Sequence, residues 1–327
     1  MGDSKSATRV LALFLTSDQC SFMGFHPIFA NKFKIMKTKS VQKILPPPAP
    51  HMVGDGFRVH NFFPGGYNMD QKRMSPFFMM DYNSKIDFSP REIPRGVGVH
   101  PHRGFETVTI AYHGKVAHHD SFGNSGVISE GEVQWMTAAS GILHKEYHEK
   151  EFSKKGGPFQ MVQLWVNLPA KDKKATPKYQ AITRDSIGKA ELPGGSGIVE
   201  VISGEFNGVK GPASTFTPIQ MYNARLKKGG TLSLNFPENF NTGILVVEGN
   251  VKVNGSESAP QDHFILFKND GETISIVAED DAVLLVLSGE PINEPIVAYG
   301  PFVMNTHDEI QEAMDDFRMG KYGILED

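Results

Sequence analysis

His100-Pro101-His102-Arg103-Gly104-Phe105-Glu106-Thr107-Val108-Thr109-Ile110-Ala111-Tyr112-His113-Gly114 carries both the fold signal and the chemical signal of this 327-residue chain. From Thr107 to Tyr112 the run alternates and, Ala111 apart, is β-branched or aromatic, the pattern of a strand. His113-Gly114 then marks a turn. His100 and His102 stand at i and i+2, so on an extended chain both imidazoles project to one face. Pro101 between them lacks an amide donor and suits an edge or irregular strand position, and its fixed φ stiffens the spacing. A second pair of the same spacing follows at His144-Lys145-Glu146. Two such strands facing one another would offer three imidazoles and one carboxylate to a single point. That set suits iron, manganese, nickel, copper or zinc with a coordination position left open. Of the twelve histidines, seven lie between positions 100 and 148, which concentrates the candidate ligands in one region.

Working outward, the chain from about Gly54 reads as short alternating strands separated by Gly, Pro, Asn and Asp. Gln160 to Val166 and Gly243 to Val247 are further strands, and Asn124-Ser125-Gly126, Glu248-Gly249-Asn250 and Asn254-Gly255 are turns. Many short strands with tight turns indicate sandwiches or barrels. A strand–Gly turn–strand–acidic turn–strand order around 105–143 recurs around 242–287. In the second copy Phe264 to Phe267 and Ala282 to Leu287 are core-like and His263 stands alone. Two similar β barrels, the first alone equipped with ligands, is the economical reading, with the Lys- and Pro-rich stretch Leu168 to Thr183 as linker. Near the C-terminus, Thr306-His307-Asp308-Glu309 is a capping box. The amphipathic run Ile310 to Met319 follows it and Gly320 can end it, so one helix is expected to pack back on a barrel.

The first 45 or so residues differ. Residues 1–43 hold seven Lys or Arg and two Asp, a net +5, which leaves about −9 for the remainder of a chain of net charge −4. A transit peptide, a weak myristoylation pattern at Met1-Gly2 with Ser6, and translation beginning at Met36 are the three readings, and all predict low order there. Pro46-Pro47-Pro48-Ala49-Pro50 is a stiff spacer into the first barrel. The expected division is therefore an extension over 1–50, a metal-binding barrel over 51–175, and a second barrel without ligands over 176–327, ending in a helix.

A pI near 6.3 offers no general nucleic-acid surface. No apolar run approaches the roughly 18–20 residues of a membrane span. Cys20 is the only cysteine, which makes a reducing compartment, the cytoplasm, the default expectation.

Glu106, four residues past His102, is read as either a fourth ligand or a carboxylate that orients a ligating imidazole. The alternative for all these residues is polar strand faces turned to water. That bland reading is preferred for His118, His119 and His148, taken as exposed loop histidines, and Trp135 and Trp165 are assigned to the core.

Several motifs now stand in order: His100 to Val108, Gln134-Trp135-Met136-Thr137-Ala138, Gly141-Ile142-Leu143-His144, Gln163 to Pro169, and Ser288 to Ile296 followed by Gly300 to Thr306. Together they resemble the pirin family of the cupin superfamily from about Lys39 onward. The resemblance implies an all-β tandem of cupin (jelly-roll) barrels with a short C-terminal helix. It implies a metal in the first barrel, Fe(II) above Ni, Mn, Cu, Co or Zn, held by His100, His102, His144 and Glu146. Thr137 and Ala139 replace the Pro and Gly of the general cupin pattern, as pirins do, and Glu106 then falls behind the ligands rather than among them. Lys145, between two ligands, should point away. The family further implies quercetin 2,3-dioxygenase-type ring opening of a flavonol-like aromatic substrate by O2, with Glu146 as the catalytic base. The competing functions are a metal-dependent regulatory protein, transcription-cofactor-like, that engages a protein partner without turnover, and a metal-free structural cupin. Direct nucleic-acid or membrane binding is not implied.

Overall fold

Strand Phe105–His113 is buried over nearly its whole length, so both of its faces must be covered. Val108, Ile110 and Tyr112 on one face enter a large apolar core, while Thr107, Thr109 and Ala111 on the other turn into a barrel. The computed structural model of the protein describes residues 36–326, so the three readings of the first 35 residues lie outside the described residues.

Each barrel is a seven-stranded sheet facing a four-stranded one. In the first, the four-stranded sheet runs Gly96–His102, Ile142–His148, Val116–Asp120, Ser125–Ile128. Its seven-stranded partner is centred on Val133–Thr137, Phe105–His113, Gly157–Asn167 and Phe77–Phe88. In the second, Thr231–Asn235, Thr273–Ala278, Val251–Val253 and Glu257–Ala259 face a sheet centred on Phe264–Phe267, Asn241–Glu248, Ala282–Gly289 and Ile219–Leu226. Pairing is antiparallel throughout the named strands, which fits the tight Gly turns between them.

The two seven-stranded sheets pack on one another through the shared core, which joins Tyr82, Val108 and Trp135 to Met221, Leu245 and Leu285. Buried polar tips cross the same interface. The Tyr112 hydroxyl donates to Asn223 Oδ1 at 2.7 Å and the Tyr82 hydroxyl to Asp262 Oδ1 at 2.6 Å. Each tyrosine thereby buries its ring without stranding its hydroxyl.

Two boundaries differ from the sequence reading. Val41–Leu45, assigned above to a disordered extension, is a strand that pairs with Phe264–Phe267 at the edge of the second barrel. Beside it the Lys39 ammonium is buried against the carbonyls of Glu238, Phe240 and Lys268. Lys178–Ile182, assigned to the linker and the second domain, pairs with Val133–Thr137 in the first barrel. Each barrel thus takes an edge strand from the segment that precedes the other barrel. A five-residue strand has no partner-specific signature, so neither exchange is visible in pattern alone.

The C-terminal helix His307–Arg318 begins at the expected capping box, with Thr306 and Glu309 bonding reciprocally. It packs through Ile310 and Ala313 on Phe302, Tyr322 and Leu143 of the first barrel. No helix among the described residues is long and apolar enough to cross a membrane.

Candidate metal centre

Strand Gly96–His102 lies beside Ile142–His148, and their register pairs His100 with His144 and His102 with Ile142. Alternation then sends His100, His102, His144 and Glu146 to the barrel interior and Lys145 outward, where its ammonium meets the Glu326 carbonyl at 2.5 Å. The ligand-type nitrogens of His100, His102 and His144 all lie within 4.8 Å of one another. Their ring centroids are 4.2–4.8 Å apart.

His102 and His144 are buried, yet His102 Nδ1 and both nitrogens of His144 have no hydrogen-bond partner among the described residues. Unpartnered buried imidazoles carry a desolvation penalty that a shared cation would relieve. Burial, reinforced by the neighbouring imidazoles, holds both well below the usual histidine range. Their neutral forms are the ones that can donate lone pairs to a metal. His100 is half-buried, and its Nδ1 lies 2.8 Å from the Gly98 carbonyl. That contact fixes Nδ1 as the donor and leaves Nε2 as its free lone pair. The three-histidine set therefore fits a divalent transition metal.

Glu146 is buried in the same interior but is not part of the mutually close cluster. Gln163 Nε2 donates to its two oxygens at 3.3 and 3.0 Å, and the Thr109 hydroxyl to Oε1 at 3.3 Å. Burial pushes its pKa up, opposed by the neighbouring His100 imidazole and by these two donors. Gln163 and Thr109 escaped the sequence reading. Their signal was polarity at inward positions of strands whose outward positions are apolar.

Glu106 does not orient a ligand. Its Oε1 accepts from the Thr137 hydroxyl at 2.7 Å, on the strand face opposite to Thr107 and Thr109. Alternation cannot be carried from His102 to Glu106, because Gly104 at φ +90° breaks the chain between the two strands. Burial pushes Glu106 up to about 7.

The histidines read as exposed loop residues are on strands. His118 is buried, stacks on Tyr179 at 4.6 Å, and stands opposite Glu146 in the register. His148 is buried among Phe88, Phe152 and Phe159, with Nε2 2.8 Å from the Gly56 carbonyl. His119 is half-buried, 3.2 Å from the Tyr147 hydroxyl. Trp135 is core, as expected, in the interface between the barrels. Trp165 is half-buried and packs on the core cluster of Phe78, Phe105 and Val303. It also lies 5.2 Å from the His102 ring, so it joins that core to an aromatic wall of the centre.

Comparison with known proteins agrees with this geometry. The family described as Pirin matches residues 56–166, and the Pirin C-terminal cupin domain matches residues 221–323. The chain belongs to the pirin family. A Pseudomonas aeruginosa relative named as a candidate quercetin 2,3-dioxygenase is 46% identical over 272 residues, covering 83% of this chain and 94% of its own. A pirin-like protein of Solanum lycopersicum is 40% identical over 256 residues, covering 77% of this chain and 84% of its own. Among solved structures, a quercetin 2,3-dioxygenase from Acinetobacter baumannii superposes with a TM-score of 0.84 at 45% identity, over 89% of this chain and all of that one. A bacterial pirin from Escherichia coli in complex with nickel(II) superposes with a TM-score of 0.57 at 25% identity, over 76% of this chain and 99% of its own. The pirin fold, two cupin barrels and a short closing helix, is thus common to the sequence and the structure.

Proposed function

We propose that this pirin is a metal-dependent dioxygenase that opens the ring of a flavonol such as quercetin, with His100, His102, His144 and Glu146 holding iron(II). The observation that carries the reading is the convergence of three buried or half-buried imidazoles with unpartnered nitrogens beside a buried, oriented carboxylate. A bound cation would act as a Lewis acid on the flavonol 3-hydroxyl and lower its pKa. Other divalent ions suit the same donor set, and the nickel(II) complex of the E. coli pirin supports nickel as the next candidate.

The chain's own residues have defined tasks in this scheme. Glu146 takes the proton of the flavonol hydroxyl onto its carboxylate. Gln163 and Thr109 bond that carboxylate and keep it aimed into the barrel. Trp165, backed by the fully buried Phe105, gives the flat substrate an aromatic surface beside His102. The overall reaction consumes O2 and releases carbon monoxide with the opened ring.

The test is elemental analysis of protein purified without chelators, followed by an aerobic assay of flavonol loss and carbon monoxide release. The expected result is turnover by the iron-loaded chain and none by His144→Ala. Metal-loaded protein that never consumes a flavonol overturns the dioxygenase reading in favour of a metal-dependent binding protein with a protein partner. Protein that takes up no metal leaves a structural cupin.

A further inference from the structure

The ligand-bearing arms of the first barrel are gripped by chain that comes after the second barrel. One arm is His102-Arg103-Gly104, the other Gly141 to His144, and the register sets them side by side. On the first arm, Arg103 N donates to the Pro301 carbonyl at 3.3 Å and Val303 N donates back to the Arg103 carbonyl at 3.1 Å. The Arg103 side chain, 3% exposed, reaches Asp316 at 2.6 Å and Glu312 at 2.7 Å on the C-terminal helix. Gly104 passes so close to the Val303 carbonyl that a Cβ there would collide with it. On the second arm, the Tyr322 ring fills the space that a Cβ on Gly141 would need. The Tyr322 carbonyl accepts from the Ser121 hydroxyl at 2.5 Å, and that hydroxyl accepts from Leu143 N at 3.1 Å.

We propose that residues 301–322 are a working part of the metal centre: they hold both ligand arms in binding position, and Arg103 is the positioning residue that ties the arms to the helix. The inference rests on reading the first-barrel histidines as a metal site. The physical reason is preorganisation. Ligands fixed by packing and by hydrogen bonds behind them bind a cation without first paying to be ordered. A buried guanidinium bonded to two carboxylates is a rigid tether, because releasing it strands a desolvated charge. Helix packing on Leu143 alone would cover an apolar edge, and it would not require the charged tether on the residue next to His102.

The test uses the full chain carrying Glu312→Gln together with Asp316→Asn, which keeps the helix shape and its apolar face. Cobalt(II) is the probe, with affinity measured by chelator competition and the ligand-field absorption spectrum recorded alongside. The expected result is an affinity about tenfold to a hundredfold weaker, the range for lost supports behind metal ligands, with an altered spectrum. Backbone amides of 103–104 and 141–143 should also exchange hydrogen faster in the metal-free protein. Asp315→Asn, whose carboxylate bonds Gln311 and Arg318 on the same helix, should change none of these. Should the double variant fail to fold, Tyr322→Phe keeps the ring against Gly141, removes the hydroxyl bonded to the Ala313 carbonyl and near Arg103, and should weaken cobalt in the same direction by less. Wild-type chain that binds cobalt, with variants that bind it equally and give the same spectrum, overturns the inference. Wild-type chain that binds no cation overturns the metal-centre reading itself.

Discussion

The two barrels of this pirin share a strand order and differ in what they enclose. In the first, the four-stranded sheet brings His100 and His102 on one strand, His144 and Glu146 on the next, and His118 on the third into the interior. At the same places in the second sheet stand Leu232 and Leu234, Ile274 and Ile276, and Val251 and Val253, all in one apolar core. The opposing sheets differ in the same sense: inward Thr109 and Gln163 in the first barrel, Ile244, Val246 and Leu284 in the second. The frame decides which positions look inward. The residue types decide whether that interior offers donor atoms that could hold a cation or stabilises the fold. The first barrel forgoes the roughly 1.5–3 kcal/mol that each buried aliphatic side chain contributes. It retains an aromatic cluster around Phe57 and Phe159 at one end and the shared core with its neighbour at its back.

The largest effect that would sharpen this contrast is at the ligands. His144→Ala should cut the metal retained after dialysis from about one equivalent per chain to a small fraction, because it removes one of the three mutually close imidazoles and leaves a gap where a donor stood. Elemental analysis after dialysis measures it, and full retention of metal would break the division of labour between the barrels. The converse experiment is Leu284→Ala in the second barrel. It removes a fully buried side chain from a packed core. It should cost about 3 kcal/mol of unfolding free energy, from lost transfer energy and the cavity left behind. Metal affinity of the folded protein should be unchanged. Urea titration and chelator competition on the same sample separate the two.

How much of this was legible beforehand follows from the same geometry. The two-residue spacing of His100/His102 and His144/Glu146 survives translation into strands, because period two is a local property of the chain. Lys145 pointing outward follows from it. The C-terminal helix was legible because its cap is local too. What failed was any inference that crossed a break in the strand or depended on a distant partner. Glu106 was misplaced because Gly104 resets the alternation. Val41–Leu45 was misread because its partner strand lies more than 200 residues away. His118 looked like a loop residue beside His119, and its burial depends on Tyr179, which arrives on the strand exchanged into this barrel.

Glu106 offers a pH-dependent test of its reassigned position. Burial raises its pKa to about 7 from 4.5, so the native state holds a proton over a range in which the unfolded chain releases it. The stability this contributes is fully present below about pH 4.5 and is lost as pH rises through about 7. Glu106→Gln mimics the protonated form and can still accept the Thr137 bond. Its melting temperature should match wild type near pH 5 and exceed it at pH 8, by the equivalent of about 1–3 kcal/mol. A variant destabilised equally at both pH values would show that the carboxylate is ionised across this range, against the upward push of burial.

The smallest effect is predicted at Gln163, whose amide bonds both oxygens of Glu146. In the second barrel, the inward positions of the corresponding strand include Leu284 and Val286. Gln163→Leu therefore gives one inward position of the first barrel the character of the second. The leucine adds apolar burial and removes a polar group, so unfolding free energy should change by less than about 1 kcal/mol. The Glu146 carboxylate keeps the Thr109 bond alone and gains freedom to turn. Metal affinity should then fall about tenfold, as expected when a support behind a ligand is removed. An unchanged affinity would mean that Glu146 does not reach the cation and that the three histidines act without it. In that case Glu146 serves only as a base, and flavonol turnover rather than metal binding should respond to the loss of Gln163.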